Sequence, residues 1–255
     1  MVLFGGALIG ALKVSLIPLG GGAGDATLDS WTDLLRDPAF RDGLFLTLRI
    51  AAVSTVLAAV AGLGLAMALR RHGTTSRAVA SLPIPIPHLL VAVIAVVWLG
   101  PGGLADRTLG VLPFDVIRDG GGLGVIGVYV YKEAPFIALL VLGSMGTALA
   151  EREEAAAVLG VDRLHSMAWV LWPAVRRPLV IGSVIVAAFA IGAFEVPLAI
   201  GPNYPPALSA YAFEATSGDV IAGEGRAAAA LLIAGLLATV LALVAVRAAR
   251  GVDDA

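Results

Sequence analysis

The sequence predicts an all-α, polytopic membrane protein with six membrane-crossing helices, and three observations carry that prediction. Of the 255 residues, 59% are hydrophobic and only 14% are charged, whereas soluble domains usually carry about a quarter of charged residues. Apolar stretches recur at lengths near the ~20 residues that a helix needs to cross a hydrocarbon core ~30 Å thick. Lys and Arg are shared unevenly among the connecting stretches, as expected of an inserted chain.

Six stretches satisfy the length rule. They cover residues 2–19, 44–69, 82–99, 123–149, 179–200 and 227–246. The first contains Lys13 and lies where a signal sequence would, but it lacks a basic leading region and a small-residue cleavage pattern, so it is read as a membrane helix. Residues 101–122 and 201–226 are rich in Gly, Pro and Asp and read as loops. The whole chain is taken as a single membrane domain.

Orientation follows from the basic residues. Arg70, Arg71 and Arg77 follow the second stretch, Arg152, Arg163, Arg176 and Arg177 the fourth, and Arg247 and Arg250 the sixth. These nine outnumber the five on the opposite side, Arg36, Arg41, Arg107, Arg118 and Arg226. Cytoplasmic loops carry the excess, so both termini are expected in the cytoplasm. The same rule puts residues 151–173, EREEAAAVLGVDRLHSMAWVLWP, on the cytoplasmic face.

That segment is polar in an apolar chain, and its local chemistry predicts a helix, a turn and a helix. Residues 147–159 are nearly all strong helix formers and end at Gly160, the residue best suited to a left-handed C-terminal position. Asp162 can cap a second short helix that Pro173 is expected to end. Ala155, Ala156 and Ala157 leave one side of the projection almost flat, so another protein's surface could approach its backbone closely.

The spacing Glu154-Ala155-Ala156, three residues, Gly160, nine residues, then Val170-Leu171-Trp172-Pro173 resembles the EAA loop of permease subunits in binding-protein-dependent ABC importers. The Glu, both Ala, the Gly and the Pro fall in register; Val170 stands where the pattern has Ile, and Trp172 where it has Leu. Residues 47–71, 131–136 (YKEAPF) and 194–214 (FEVPLAIGPNYPPALSAYAFE) are further echoes. The resemblance implies a type I importer permease fold in a bacterial inner membrane. Its partners would be a second permease subunit, a cytoplasmic ATPase dimer, an extracytoplasmic solute-binding protein and membrane lipid. Glu154, Ala155, Ala156, Gly160 and Pro173 would couple to the ATPase. ATP and Mg would sit on that partner, leaving this chain with no catalytic residue and no cofactor of its own. Residues 194–214 look closer to permeases of polyamine, ferric-ion, thiamine and related organic-solute systems than to those of sugar systems, with a sugar or sugar-phosphate permease as the alternative.

Other signals are weaker. Residues 122–127 match a dinucleotide-binding turn, but no strand precedes them, and residues 20–25 lack the Gly-Lys-Ser/Thr of a phosphate loop. His72, His88 and His165 fall in separate segments, so no metal site is expected. A net charge of -2 gives no basic surface for nucleic acid, and without cysteine there is neither a disulfide nor a thiolate site. Charges within apolar stretches are costly unless they face protein or water. Lys132 and Glu133, next to Pro135, and Glu195, next to Pro197, are therefore candidates for a translocation path, with pairing inside the bundle as the plainer reading. An ion-coupled transporter relaying charge through these three residues, or a membrane scaffold that transports nothing, are the rival functions.

Overall fold

A computed structural model describes residues 2–17, 26–110, 115–218 and 220–250. In chain order its helices are α1 (Val2–Leu16), α2 (Asp29–Arg36), α3 (Pro38–Leu69), α4 (Thr74–Ser81), α5 (His88–Leu99), α6 (Leu104–Leu109), α7 (Leu123–Ser144), α8 (Thr147–Val158) and α9 (Arg163–Ser166). A π-turn (Met167–Leu171) leads into α10 (Trp172–Gly192), followed by α11 (Glu195–Ile200), α12 (Leu208–Gly218) and α13 (Val220–Arg250). No strand occurs among the described residues.

Five segments are long and apolar enough to cross a membrane: Pro38–Leu69, His88–Thr108, Leu123–Ser144, Arg163–Gly192 and Gly223–Val244. The remaining expected span is the shorter α1, whose 15 residues extend roughly 22 Å at 1.5 Å per residue. Residues 18–25, which include the end of that expected span, lie outside the described residues.

The helices depart from the expected spans at several ends, with α3 starting at Pro38, α10 at Trp172 and α13 at Val220, and α12 forms within residues 201–226, expected as loop. Three further boundaries have a local reason. The third span begins at His88 and not at residue 82, because Pro83, Pro85 and Pro87 remove three N–H donors in succession. The fourth ends at Ser144, and α8 starts afresh after Gly146, whose extended backbone forms its N-terminal boundary. The fifth breaks after Gly192, and α11 begins at Glu195. The Ala193 carbonyl at that break accepts the Ser209 hydroxyl at 2.7 Å.

The residues sort into two compact units. One comprises residues 1–52, 88–128 and 188–240, the other residues 53–87, 129–187 and 241–255. In the first, Asp37 starts α3: its Oδ1 accepts the Ala39 N–H at 2.9 Å, with Pro38 in the first helical position, where a missing donor costs nothing. Its Oδ2 accepts the Tyr211 hydroxyl at 2.7 Å. Burial, then this bond, pushes the Tyr211 phenol well above its ordinary range. Thr47 ties the same unit together, donating to Gly43 and accepting the Leu208 N–H at 2.8 Å.

In the second unit the core comprises Ala58, Ala66, Ile137, Ala138, Val141, Leu149, Leu171, Val175 and Val186. Ala58, Gly62 and Ala66 stand four apart on α3 and form a stripe of small side chains. A Cβ at Gly62 would lie 2.8 Å from the Ala134 carbonyl oxygen and 2.8 Å from Ile137 Cβ. Small residues at this spacing let membrane helices approach backbone to backbone.

Candidate functional site

The polar projection is built on the second unit. Helix α8 is anchored by Leu149, and Leu171 closes the other arm; both enter the buried cluster beneath. Glu153 holds the Arg70 guanidinium in an ion pair with both side chains about one-fifth exposed. Arg70 follows α3 directly, so this contact ties α8 to the preceding basic loop.

The turn closes as the sequence predicts. Gly160 takes φ +79°, the left-handed conformation that costs glycine least. Its N–H donates to the Ala157 carbonyl and that of Val161 to the Ala156 carbonyl, both at 3.0 Å. These paired bonds form a Schellman closure, which satisfies two carbonyls that a helix end would leave open.

Asp162 caps the second arm: its Oδ1 accepts the His165 N–H at 2.8 Å and approaches His165 Nδ1 at 2.9 Å. The His165 backbone bond first, then its side chain, holds the Asp162 carboxyl below the usual range. Pro173, however, does not end this arm. Helices α9 and α10 join through the π-turn into one segment, Arg163–Gly192. There the Trp172 N–H reaches the Met167 carbonyl, five residues back. The wider turn shifts the bonding register just before the proline, and its absent donor falls in the first turn of α10, where the loss is tolerated.

The projection presents an unusual surface for a polar loop. Val158 and Leu159 are 83% and 81% exposed, and Leu164 and Trp169 are each 78% exposed. Glu154 and Ala155 are exposed and Ala156 is half-buried. No described residue pairs with the Glu154 carboxylate, although its neighbour Glu153 is engaged. An open cleft of about 420 Å³ lies beside α8, lined by Arg70, Arg71, Glu153, Ala157 and Arg163 among others. A second, of about 470 Å³, is lined by Ala156, Gly160, Asp162, His165 and Trp169 with their neighbours. The segment thus leaves large apolar side chains open beside the exposed Glu154 carboxylate.

The charges within apolar stretches are placed differently from one another. Lys132 is 3% exposed and donates from Nζ to the carbonyls of Pro83 at 2.5 Å, Ile84 at 2.9 Å and Ile86. Glu133 is half-buried, one residue along α7. Glu195 is exposed and opens α11, so it starts a separate short helix and does not sit near the end of a continuous fifth span. Lys132 and Glu133 belong to the unit that carries the projection, and Glu195 belongs to the other. Of the histidines, His72 Nδ1 lies 2.7 Å from the Ala68 carbonyl, His88 packs on Phe189 with ring centroids 4.6 Å apart, and His165 is held by Asp162.

Two contacts escape the sequence reading. The Arg70–Glu153 pair joins residues 83 positions apart; its only signal is opposite charge in two loops assigned to the same side. The lysine and the proline-rich turn are separately visible, but nothing in the sequence pairs them.

Fold and site together define an all-helical, multi-pass membrane protein with a polar helix–turn–helix segment between its third and fourth long apolar helices. Residues 54–254 match the model of the family described as binding-protein-dependent transport system inner membrane component, and the chain belongs to that family. It is 29% identical over 225 residues to the inner membrane ABC transporter permease protein YnjC of Escherichia coli K12, covering 85% of this chain and 43% of that protein. It is 30% identical over 172 residues to the molybdenum transport system permease protein ModB of Azotobacter vinelandii, covering 63% of this chain and 72% of that one. The chain thus spans less than half the length of the first relative. A solved bacterial ABC transporter involved in import of the acidic polysaccharide alginate shares the fold, with TM-score 0.75 at 18% identity over 98% of this chain and 95% of that one. An alginate transporter in complex with its pentasaccharide-bound periplasmic protein matches at TM-score 0.73 and 19% identity, over 94% of this chain and 84% of that one.

Proposed function

We propose that the chain is a transmembrane permease subunit of an ATP-driven solute importer, one permease domain that forms half of a translocation pathway with a second permease subunit. The observation that carries this reading is the projection: a Schellman-closed helix with an exposed, unpaired Glu154 flanked by exposed Val158 and Leu159. In this reading a cytoplasmic ATPase dimer holds ATP and Mg and receives the knob in a cleft. Glu154 accepts a bond from a basic ATPase residue, and Ala155 and Ala156 pack against the cleft wall. Gly160 closes the turn, and Pro173 with its π-turn joins the knob to the fifth span. A solute-binding protein delivers cargo from the opposite side of an inner membrane in which both termini are cytoplasmic. Lys132, Glu133 and Glu195 serve the pathway in this reading, the lysine through the turn it holds.

For the cargo, we propose a small polar or charged solute of the polyamine and organic-solute class that residues 194–214 resemble. A second reading, cargo of the molybdenum type, is favoured by the relatives named for that transport.

Glu154→Lys tests the coupling. Placing a cation opposite a basic partner should remove ATPase co-purification and abolish uptake in reconstituted vesicles, while the subunit still inserts. Losing one side of a buried charged pair costs about 3 to 5 kcal/mol. Full uptake by this variant, with the ATPase still bound, would exclude Glu154 from the contact.

A further inference from the structure

The proline-rich turn that precedes α5 holds a chemistry that goes beyond the pathway role given to Lys132. In residues 82–87 the chain alternates proline with apolar residues, so few backbone donors are available to its own carbonyls. The Pro83 carbonyl shows the deficit most directly, because its α-helical donor would have been the N–H that Pro87 lacks. Tight turns offer partial compensation, with Ile84 N–H to the Ser81 carbonyl at 3.0 Å and Ile86 N–H to the Pro83 carbonyl at 3.3 Å. In a hydrocarbon environment no water completes such a set, and irregular backbone survives only where protein satisfies it.

Lys132 converges on this turn. Its Nζ lies 2.5 Å from the Pro83 carbonyl oxygen and 2.9 Å from that of Ile84, and it donates to Ile86 as well. Three acceptors match the three N–H bonds of an ammonium and exceed the two of a neutral amine. The group is 3% exposed, and the half-buried Glu133 is its neighbour along α7.

We propose that the carbonyls of Pro83, Ile84 and Ile86 form a binding site for a primary ammonium, which Lys132 occupies as a tethered ligand. Lys132 is thus a positioning residue: it supplies the donors that the prolines removed and fixes the start of the third span. The site is independent of the ATPase contact and stands or falls without it.

Shortening the tether to Lys132→Ala removes three carbons and the nitrogen, the outline of n-propylammonium. The full-length chain in lipid nanodiscs would be followed by amide hydrogen exchange at Ile84, Ile86 and His88, with α7 amides as the folding control. Exchange in the turn should rise about tenfold or more, the scale of a lost hydrogen bond to a charged group. Adding n-propylammonium should restore slow exchange, and tetramethylammonium, which has no N–H, should not. Lys132→Met keeps the stem and its packing, and should show the same acceleration with α7 protection intact. Wild-type exchange in Lys132→Met would overturn the proposal even if the alanine variant fails to fold. Acceleration that both ammonium ions leave unchanged would overturn it too, since the carbonyls would then have no affinity for the group.

Discussion

At the scale of single residues, the most legible features are those whose chemistry is local. Gly160 and Asp162 were readable because a helix end needs a left-handed residue and a helix start needs an acceptor, both within a few positions in the chain. The structure supplies each as expected. Asp162 also sets a pH dependence. Its folded carboxyl titrates below the ordinary range, chiefly because the His165 N–H favours the anion. The cap therefore contributes fully above the unfolded value, about pH 4, and is lost as pH falls through the lower folded value. Protection of the amides of residues 163–166, taken as exchange relative to the intrinsic rate at each pH, should fall on acidification from pH 5 to pH 3, more in the wild type than in Asp162→Asn, which keeps an acceptor without a titrating proton. Equal losses of protection in the two proteins would show that the carboxylate is not what holds this turn.

At the scale of elements, the existence of helices was clear from apolar length, but their ends were less so. Pro173 was expected to stop a helix because it lacks a donor; the π-turn before it shifts the bonding register and the chain runs on. The break at Ala193 was hidden for the opposite reason. Composition stays apolar through residues 179–200, and the opened carbonyl is satisfied by Ser209, 16 residues further on. Lys132 and the turn at Pro83 were each visible, but their union is tertiary, 49 positions apart. Packing between elements gives a sharper test at Gly62, where a side chain would meet the Ala134 carbonyl oxygen and Ile137 Cβ, each at 2.8 Å. Gly62→Leu should destabilise the protein by about 1 to 3 kcal/mol, as overpacking does, seen as a lowered Tm in detergent. Gly64→Leu is the matched control, since no atom lies within 4 Å of its added Cβ. Similar losses at both positions would mean that glycine's effect here is general to the helix and not due to the close approach.

At the scale of the whole molecule, the fold class follows from composition because a bilayer accepts so few architectures: apolar runs of this length without strand alternation become helices. Orientation is the property that the basic residues predict and that a labelling experiment can decide. The chain has no cysteine, so a single introduced thiol reports unambiguously. Leu159→Cys and Tyr204→Cys replace side chains that are 81% and 63% exposed. In right-side-out vesicles a membrane-impermeant maleimide should label position 204 and spare position 159, and in inverted vesicles the pattern should reverse. Labelling of both from one face would overturn the assignment made from the arginines.

The π-turn at Met167–Leu171 also sets a direction. Lodging an extra residue in one turn offsets everything upstream by about 100° from the bearing that an unbroken α-helix would give it. The azimuth of the knob is therefore governed by a residue count and not by composition. Two proteins with identical knobs, one with this turn and one without, would aim the same face at different quarters of the compass, and a one-residue deletion could misdirect the knob while leaving every exposed side chain in place.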